Sequence, residues 1–217
     1  MKRILIATIT EADVCSAFFC ISLAQTAKAG LAEGIEFFPV AFPANGNWSM
    51  AFNQGITLAW TEKLDGFLCV SPRLSWQPES LLELVTTNKN AVAMPVATRS
   101  GFDVSLGEIA RLQEDKSTGE IKVLGSSLDL IYLSPYAIDK LCSTHPTVAY
   151  QGSDVKLILQ HGDIYNAYAE PSDILSYRLR EQGIELWLSA NHTAHRQDSV
   201  EYTNNFAKVL EQLKAND

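Results

Sequence analysis

The chain lacks the sequence signs of several large classes of protein. Among its 217 residues no apolar run approaches the ~20 that span a bilayer, and the longest nearly unbroken one, Val14–Ala24, falls far short. Met1-Lys2-Arg3 followed by Ile4–Thr10 imitates a secretory leader, but Glu11 and Asp13 interrupt it before any small-residue cleavage site. Basic charge is scarce: 17 Lys and Arg stand against 25 Asp and Glu, a net charge of −8. A protein that coats nucleic acid needs the opposite balance, because affinity for the backbone comes from neutralising phosphates. The four cysteines, Cys15, Cys20, Cys69 and Cys142, form no Cys-x-x-Cys pair, so a zinc knuckle and a local redox motif are excluded. Three of them lie in apolar stretches, where a reduced thiol packs as a small hydrophobe. The expectation is a soluble, cytoplasmic protein with reduced cysteines. Gly-x-Gly-x-x-Gly, the phosphate loop ending Gly-Lys-Ser/Thr, His-Glu-x-x-His and Gly-x-Ser-x-Gly are all missing as well. Cys142 and His145 lie close in sequence, which says little about pairing in space.

What is present is ordinary globular material, 47% apolar and 19% charged, enough for one large α/β domain. Arg3–Thr8 is short, apolar and β-branched, the pattern of a buried strand. After it, Val14, Ala17, Phe18, Ile21 and Ala24 recur at helical spacing and predict the inward face of a first helix. Ile35–Val40 reads as a second strand. A loop at Pro43–Asn47 precedes a helix with Ser49 as its expected N-cap. Gly66–Val70 is a buried strand that stops at Ser71-Pro72-Arg73. Pro78 and Glu79 suit the first turn of the helix that follows.

Farther along, Ala91–Val96 and Leu128–Leu133 read as strands, and Ile109–Leu112 with Glu120–Leu124 as a hairpin around Glu114–Gly119. Ser172 and Asp173 open a helix that Gly183 ends, Ile184–Leu188 is a strand, and Ser199 opens a last helix. Strand and helix alternate in the first half, which predicts a mixed, mostly parallel sheet with helices on both faces. Ligands bind such sheets beyond the carboxyl ends of the strands. That rule selects Thr8–Glu11, Pro43–Asn47, Ser71–Arg73 and Thr98–Asp103 as rim segments.

The order of these elements resembles the GT-A fold of nucleotide-sugar glycosyltransferases, nearest to small family-two-like members of bacteria and phages. Four patches carry the similarity: RILIATIT at Arg3–Thr10, GNWSMAFN at Gly46–Asn53, DGFLCVSPR at Asp65–Arg73 with Trp76, Pro78 and Glu79 beyond it, and SDILSYRLREQGIELWL at Ser172–Leu188. The resemblance implies a single domain over 1–217, with a nucleotide-binding half at 1–96, an acceptor half at 97–197 and a C-terminal helix at 198–217. It implies that Thr8, Ile9, Thr10 and Asn53 contact a nucleotide and that Ser71 and Arg73 face its diphosphate. The family's metal-binding Asp-x-Asp falls on Ser71-Pro72-Arg73, where both carboxylates are missing and a guanidinium stands instead. The family's acidic pair falls on Pro171-Ser172, so Asp173, or failing it Glu170, is the candidate general base. Asp173 and Ser172 are equally well explained as a helix-dipole charge and an N-cap.

Asp129 interrupts the apolar stretch LDLIYL where the family carries an apolar residue. It either faces the cleft or pairs with a base such as Arg99, since a buried carboxylate without a partner is costly. His195, with His192, lies where the family often has a histidine near the phosphates, and two histidines without adjacent carboxylates are a weak metal signal. Trp48 and Trp76 flank the expected cleft as stacking surfaces or as packing.

The expectation is therefore a group transferase using a nucleotide-linked donor, with no cofactor and no tightly held metal, acting on an acceptor that the residues do not identify. Two alternatives stand beside it. One is a phage-type transferase modifying DNA bases, which the acidic charge disfavours; the other is a non-catalytic binding module on a degenerate scaffold. Apolar surface around Phe37–Phe42 or on the last helix would serve a homo-oligomer.

Overall fold

The computed structural model describes residues 1–11, 14–98, 101–107, 112–160, 163–164, 167–197, 201–202 and 206–215. The first half runs β1 (Lys2–Thr10), α1 (Ala17–Ala32), β2 (Ile35–Pro43), α2 (Trp48–Thr61), β3 (Phe67–Val70), β4 (Leu74–Ser75), α3 (Pro78–Thr86) and β5 (Ala91–Ala93). Short strands follow: β6 (Ala97–Thr98), β7 (Gly101–Phe102), β8 (Val104–Ser105), β9 (Glu114–Asp115), β10 (Glu120–Val123) and β11 (Gly125–Ser126). Next come β12 (Leu130–Leu133), α4 (Pro135–Thr144), β13 (Thr147–Tyr150), β14 (Ser153–Lys156), β15 (Asp163–Ile164) and β16 (Ala167–Tyr168). The chain closes with α5 (Pro171–Glu181), β17 (Leu186–Ser189), β18 (His195–Gln197), β19 (Glu201–Tyr202) and α6 (Phe206–Ala215).

Eight strands form the central sheet in the order β2-β1-β3-β12-β5-β17-β10-β9. β1 pairs in parallel with β2 and β3, and β17 in parallel with β5. β12 lies antiparallel between β3 and β5. The start of β12 therefore meets the carboxyl ends of its neighbours, and this one reversal builds the rim described below.

Side chains alternate across the sheet. Leu5, Ala7, Phe67, Cys69, Ile131 and Leu188 join a core with residues of α2, α4, α5 and α6. Ile4, Ile6, Leu68, Val70, Val92 and Tyr132 join a second core with residues of α1 and α3. Each buried Leu, Ile or Phe withdraws enough apolar surface from water to contribute about 1.5–3 kcal/mol. Helices thus cover both faces of a mixed α/β sheet, as the alternation of elements predicts.

The first helix turns its other side inward. Phe19, Ser22, Thr26 and Gly30 are its buried residues, whereas Val14 before it and Phe18 and Ile21 on it are 68%, 56% and 52% exposed. The cause is a ring that the helix must accommodate. Trp76 Nε1 donates to Thr26 Oγ1 at 2.9 Å, and the Trp76 backbone N–H donates to Ser22 Oγ at 3.1 Å. The Phe19 ring meets the indole edge-on at 5.4 Å. Gly30 packs so closely on Phe37 that an added Cβ would sit 2.6 Å from the ring. Small and polar side chains face inward because two aromatic rings fill the space, and the bulky residues are left outside.

Other boundaries move for local reasons. Asn47, not Ser49, caps α2, its Oδ1 accepting from Met50 N at 3.0 Å. Ser16 caps α1, its Oγ accepting from Phe19 N at 3.0 Å. The N-cap of α5 is Glu170 with Pro171 as first helical residue, so Ser172 lies inside the helix. A hairpin forms between Glu114–Asp115 and β10, and the expected first arm, Ile109–Leu112, lies outside the described residues except for Leu112. Glu201 and Tyr202 are a strand, so the last helix starts at Phe206 and not at Ser199. Phe37, proposed above as part of an apolar surface, is buried. Among the described residues no helix is long and apolar enough to cross a membrane.

Candidate functional site

The carboxyl end of β3 is the junction of three separate parts of the chain. Val70 pairs with Leu130 at the last rung between β3 and β12, and Ser71 N then donates to the Asp129 carbonyl at 2.7 Å. Three residues on, the chain enters β4, against which β18 lies antiparallel with Arg196 opposite Leu74 and His195 opposite Ser75. Arg196 Nη2 reaches the Asp129 carboxylate and forms an ion pair with it. Asp129 thus pairs with a base, and that base is Arg196. Arg99, the partner named from the sequence, lies outside the described residues.

The electrostatics of this pair are mixed. Burial pushes the Asp129 carboxyl above its ordinary value, the Arg196 cation opposes that, and Asp103 nearby adds to the rise. Ser71 contributes a side-chain hydrogen bond that favours the carboxylate, and the net direction is up. Asp103 is tied to the same region, its carbonyl accepting from Ser127 N at 3.1 Å. Beneath the pair, Cys69 on β3 is completely buried, and desolvation with the Asp129 charge raises its pKa so far that it remains a thiol. All four cysteines are free.

The remaining residues expected at the site fall into distinct groups. Ser71 is half-buried and Arg73 exposed, both at this junction. Thr8 and Thr10 end β1, one strand away, and both are buried; the Thr10 carbonyl accepts from Ala44 N at 2.8 Å. Ile9 points the other way, into the core with Ala44 and Phe52, so its side chain is packing. Asn53 also leaves the expected site. It is fully buried, with Nδ2 donating to the Leu159 carbonyl at 2.8 Å and Oδ1 accepting from Leu159 N at 2.9 Å. Its amide holds a neighbouring segment through both of these bonds.

Glu170 and Asp173 are both exposed at the N-terminus of α5. The parallel connection from α5 to β17 puts that terminus at the rim end of the sheet, and Ser176 of α5 lies against Gly125 ahead of Asp129. No hydrogen bond or ion pair among the described residues joins either carboxylate to the Ser71–Asp129–Arg196 junction.

The half-buried His195 ring turns a buried Nδ1 that has no partner among the described residues. His192 is a pin between its loop and α3, with Nε2 on Glu83 Oε2 at 2.5 Å and Nδ1 on Ser80 Oγ at 3.1 Å. Trp76 is core, and Trp48 stacks on Phe52 at 5.7 Å. A cleft of about 590 Å³ lined by Trp60, Asp65, Pro135 and Asp139 opens at the opposite pole, before β3 and after β12. It is far from the rim.

The resemblance read from the sequence implies a divalent cation held on carboxylates at the end of β3. The residues here do not fit one. Serine and arginine stand at those positions, and the carboxylate that approaches from β12 is already paired with a guanidinium. Among the described residues no group of three or more His, Cys, Asp and Glu side chains is arranged to hold a metal ion. The residue that sequence reasoning missed is Arg196. Its signal was present: an aspartate in an apolar strand requires a cation, and Arg196 adjoins the singled-out His195.

No protein-family model and no curated protein matches the chain. Its fold is that of GT-A-like transferases. The structure of A197 from STIV superposes at TM-score 0.54 with 9% identity, over 90% of this chain and 86% of that one. GalNAc-T7, solved with UDP, GalNAc and Mn²⁺, superposes at TM-score 0.53 with 11% identity over 97% of this chain. The match covers 48% of GalNAc-T7, so the chain spans about half the length of that protein.

Proposed function

We propose that the chain is a transferase that takes a nucleotide-activated sugar at the rim formed by β1, β2 and β3. The observation that carries this is the arginine-rich junction at the carboxyl end of β3. A GT-A sheet brings the donor's diphosphate to that place, and the chain supplies Arg73 and Arg196 there instead of a carboxylate pair. Guanidinium groups bind phosphate oxygens through parallel N–H donors and neutralise a leaving diphosphate without a recruited cation. GalNAc-T7 carries UDP and GalNAc on the same fold, which supports a nucleotide sugar as the donor class.

In this reading Ser71 and Arg73 contact the diphosphate, and the backbone at Thr8–Thr10 borders the nucleotide. An acceptor hydroxyl attacks the anomeric carbon, the bond from that carbon to the diphosphate oxygen breaks, and the nucleoside diphosphate leaves. Asp173, at the exposed start of α5, accepts the acceptor's proton, with Glu170 three residues before it as the alternative.

The test is release of nucleoside diphosphate from a panel of nucleotide sugars with EDTA present. Arg73→Ala is expected to weaken donor binding at least tenfold while Trp187→Phe, on the far strand β17, leaves it unchanged. Asp173→Asn is expected to slow turnover by about 10²–10⁴-fold, the usual contribution of a positioned base. Equal effects of the Arg73 and Trp187 substitutions, or unaltered turnover in the Asp173 variant, would remove those residues from the site.

A further inference from the structure

We infer that Asp129 is a positioning residue that aims the Arg196 guanidinium at the diphosphate of the bound donor, an assignment that rests on the donor-binding reading above. The starting point is a cost. A carboxylate at the entry to β12 whose neighbours Leu128, Leu130 and Ile131 are all buried loses much of its hydration, and it is retained only if something compensates. Arg196 compensates it, and the fold takes trouble to deliver that residue. Arg196 lies 67 positions away in sequence, on a short strand whose only described ladder to the first half is with β4. That ladder fixes the Arg196 backbone beside the segment that follows Ser71-Pro72-Arg73.

The geometry of the pair leaves capacity for a ligand. Asp129 engages Nη2, while a guanidinium carries donors on two further nitrogens. Both partners keep an opening to solvent, with 29% of the Arg196 side chain and 23% of the Asp129 side chain exposed, so the pair belongs to the rim and not to the core. Asp129 is also joined to the nearest diphosphate-facing residue, its carbonyl accepting from Ser71 N at 2.7 Å. One residue therefore holds both the guanidinium, through its carboxylate, and the Ser71 backbone, through its carbonyl. A planar fork held in this way binds a phosphate with less loss of side-chain freedom than an unsupported one.

A salt bridge that merely joins β12 to β18 would look the same in outline, and the two roles separate in solution. The experiment is calorimetric titration of the whole chain, in EDTA, with UDP, GDP, inorganic pyrophosphate and UMP, for wild type and for Arg196→Ala, Arg196→Lys and Asp129→Asn. The inference predicts that Arg196→Ala weakens the diphosphate ligands at least tenfold while UMP falls less than threefold. Asp129→Asn, which keeps the cation but loses its orientation, is expected to narrow the preference for UDP over UMP. Arg196→Lys restores only part of that preference, because it has charge without a fork. A purely structural bridge lowers the unfolding temperature and reduces UDP and UMP binding together, and that result overturns the inference while leaving the donor reading intact. Wild type that binds none of the four probes overturns both.

Discussion

Asn53 and Leu159 hold one another through both halves of an amide: Nδ2 donates to the Leu159 carbonyl at 2.8 Å, and Leu159 N donates to Oδ1 at 2.9 Å. The bond pair ties α2 to the segment after β14, across 106 residues of sequence. Asn53→Ala leaves a buried N–H and a buried C=O unpaired, at about 1–3 kcal/mol each. The expected outcome is a loss of about 2–4 kcal/mol in urea unfolding, with nucleotide affinity of the folded variant unchanged. Weakened nucleotide binding at unchanged stability would return Asn53 to the site.

Adjacent phenylalanines on α1 are expected to behave oppositely. Phe19 is 3% exposed and packs edge-on against Trp76, whereas Phe18 is 56% exposed. Phe19→Ala is expected to cost about 3–5 kcal/mol, and Phe18→Ala no more than about 0.5 kcal/mol. Denaturant unfolding of the two variants checks this. Similar losses would mean that the outer face of α1 packs against something in solution.

His145, which follows α4, gives a pH dependence of definite sign. Burial lowers its pKa from 6.5, partly offset by the Leu141 carbonyl that accepts from Nδ1 at 2.7 Å, and the net direction is down. The folded state therefore binds fewer protons than the unfolded chain between the folded pKa and 6.5. The stabilising contribution is complete above 6.5 and is lost as the pH falls from there through the folded pKa. Wild type is expected to lose more stability than His145→Gln between about pH 7 and 5. Parallel stability curves would show that His145 titrates alike in both states.

The strands of the first half were legible because short, β-branched, apolar segments bounded by Gly, Pro or charge leave few other structures open to them. Layering followed from the alternation of strand and helix. The first helix was misread because its orientation is set by Trp76 and Phe37, and no period within residues 14–32 carries that information. Ser49 and Ser172 were good N-caps by type, and lost to Asn47 and to the Glu170-Pro171 pair within two residues. Ser71 and Arg73 could be placed at the carboxyl end of β3 from the strand that precedes them. The Asp129–Arg196 pair could not, because it depends on an antiparallel insertion and on a two-residue pairing of β18 with β4.

The measurement that bears most directly on a donor site served by arginines is thermal unfolding of the intact chain against nucleotides and nucleotide sugars, each with Mn²⁺ and with EDTA. A ligand at 100 times its Kd adds about 2.7 kcal/mol. For a domain of this size each kcal/mol raises Tm by roughly 2–4 °C. The account predicts a rise of several degrees with one nucleoside diphosphate family, equal in Mn²⁺ and EDTA and abolished by Arg73→Ala. A rise that requires Mn²⁺, or none with any nucleotide, would contradict it.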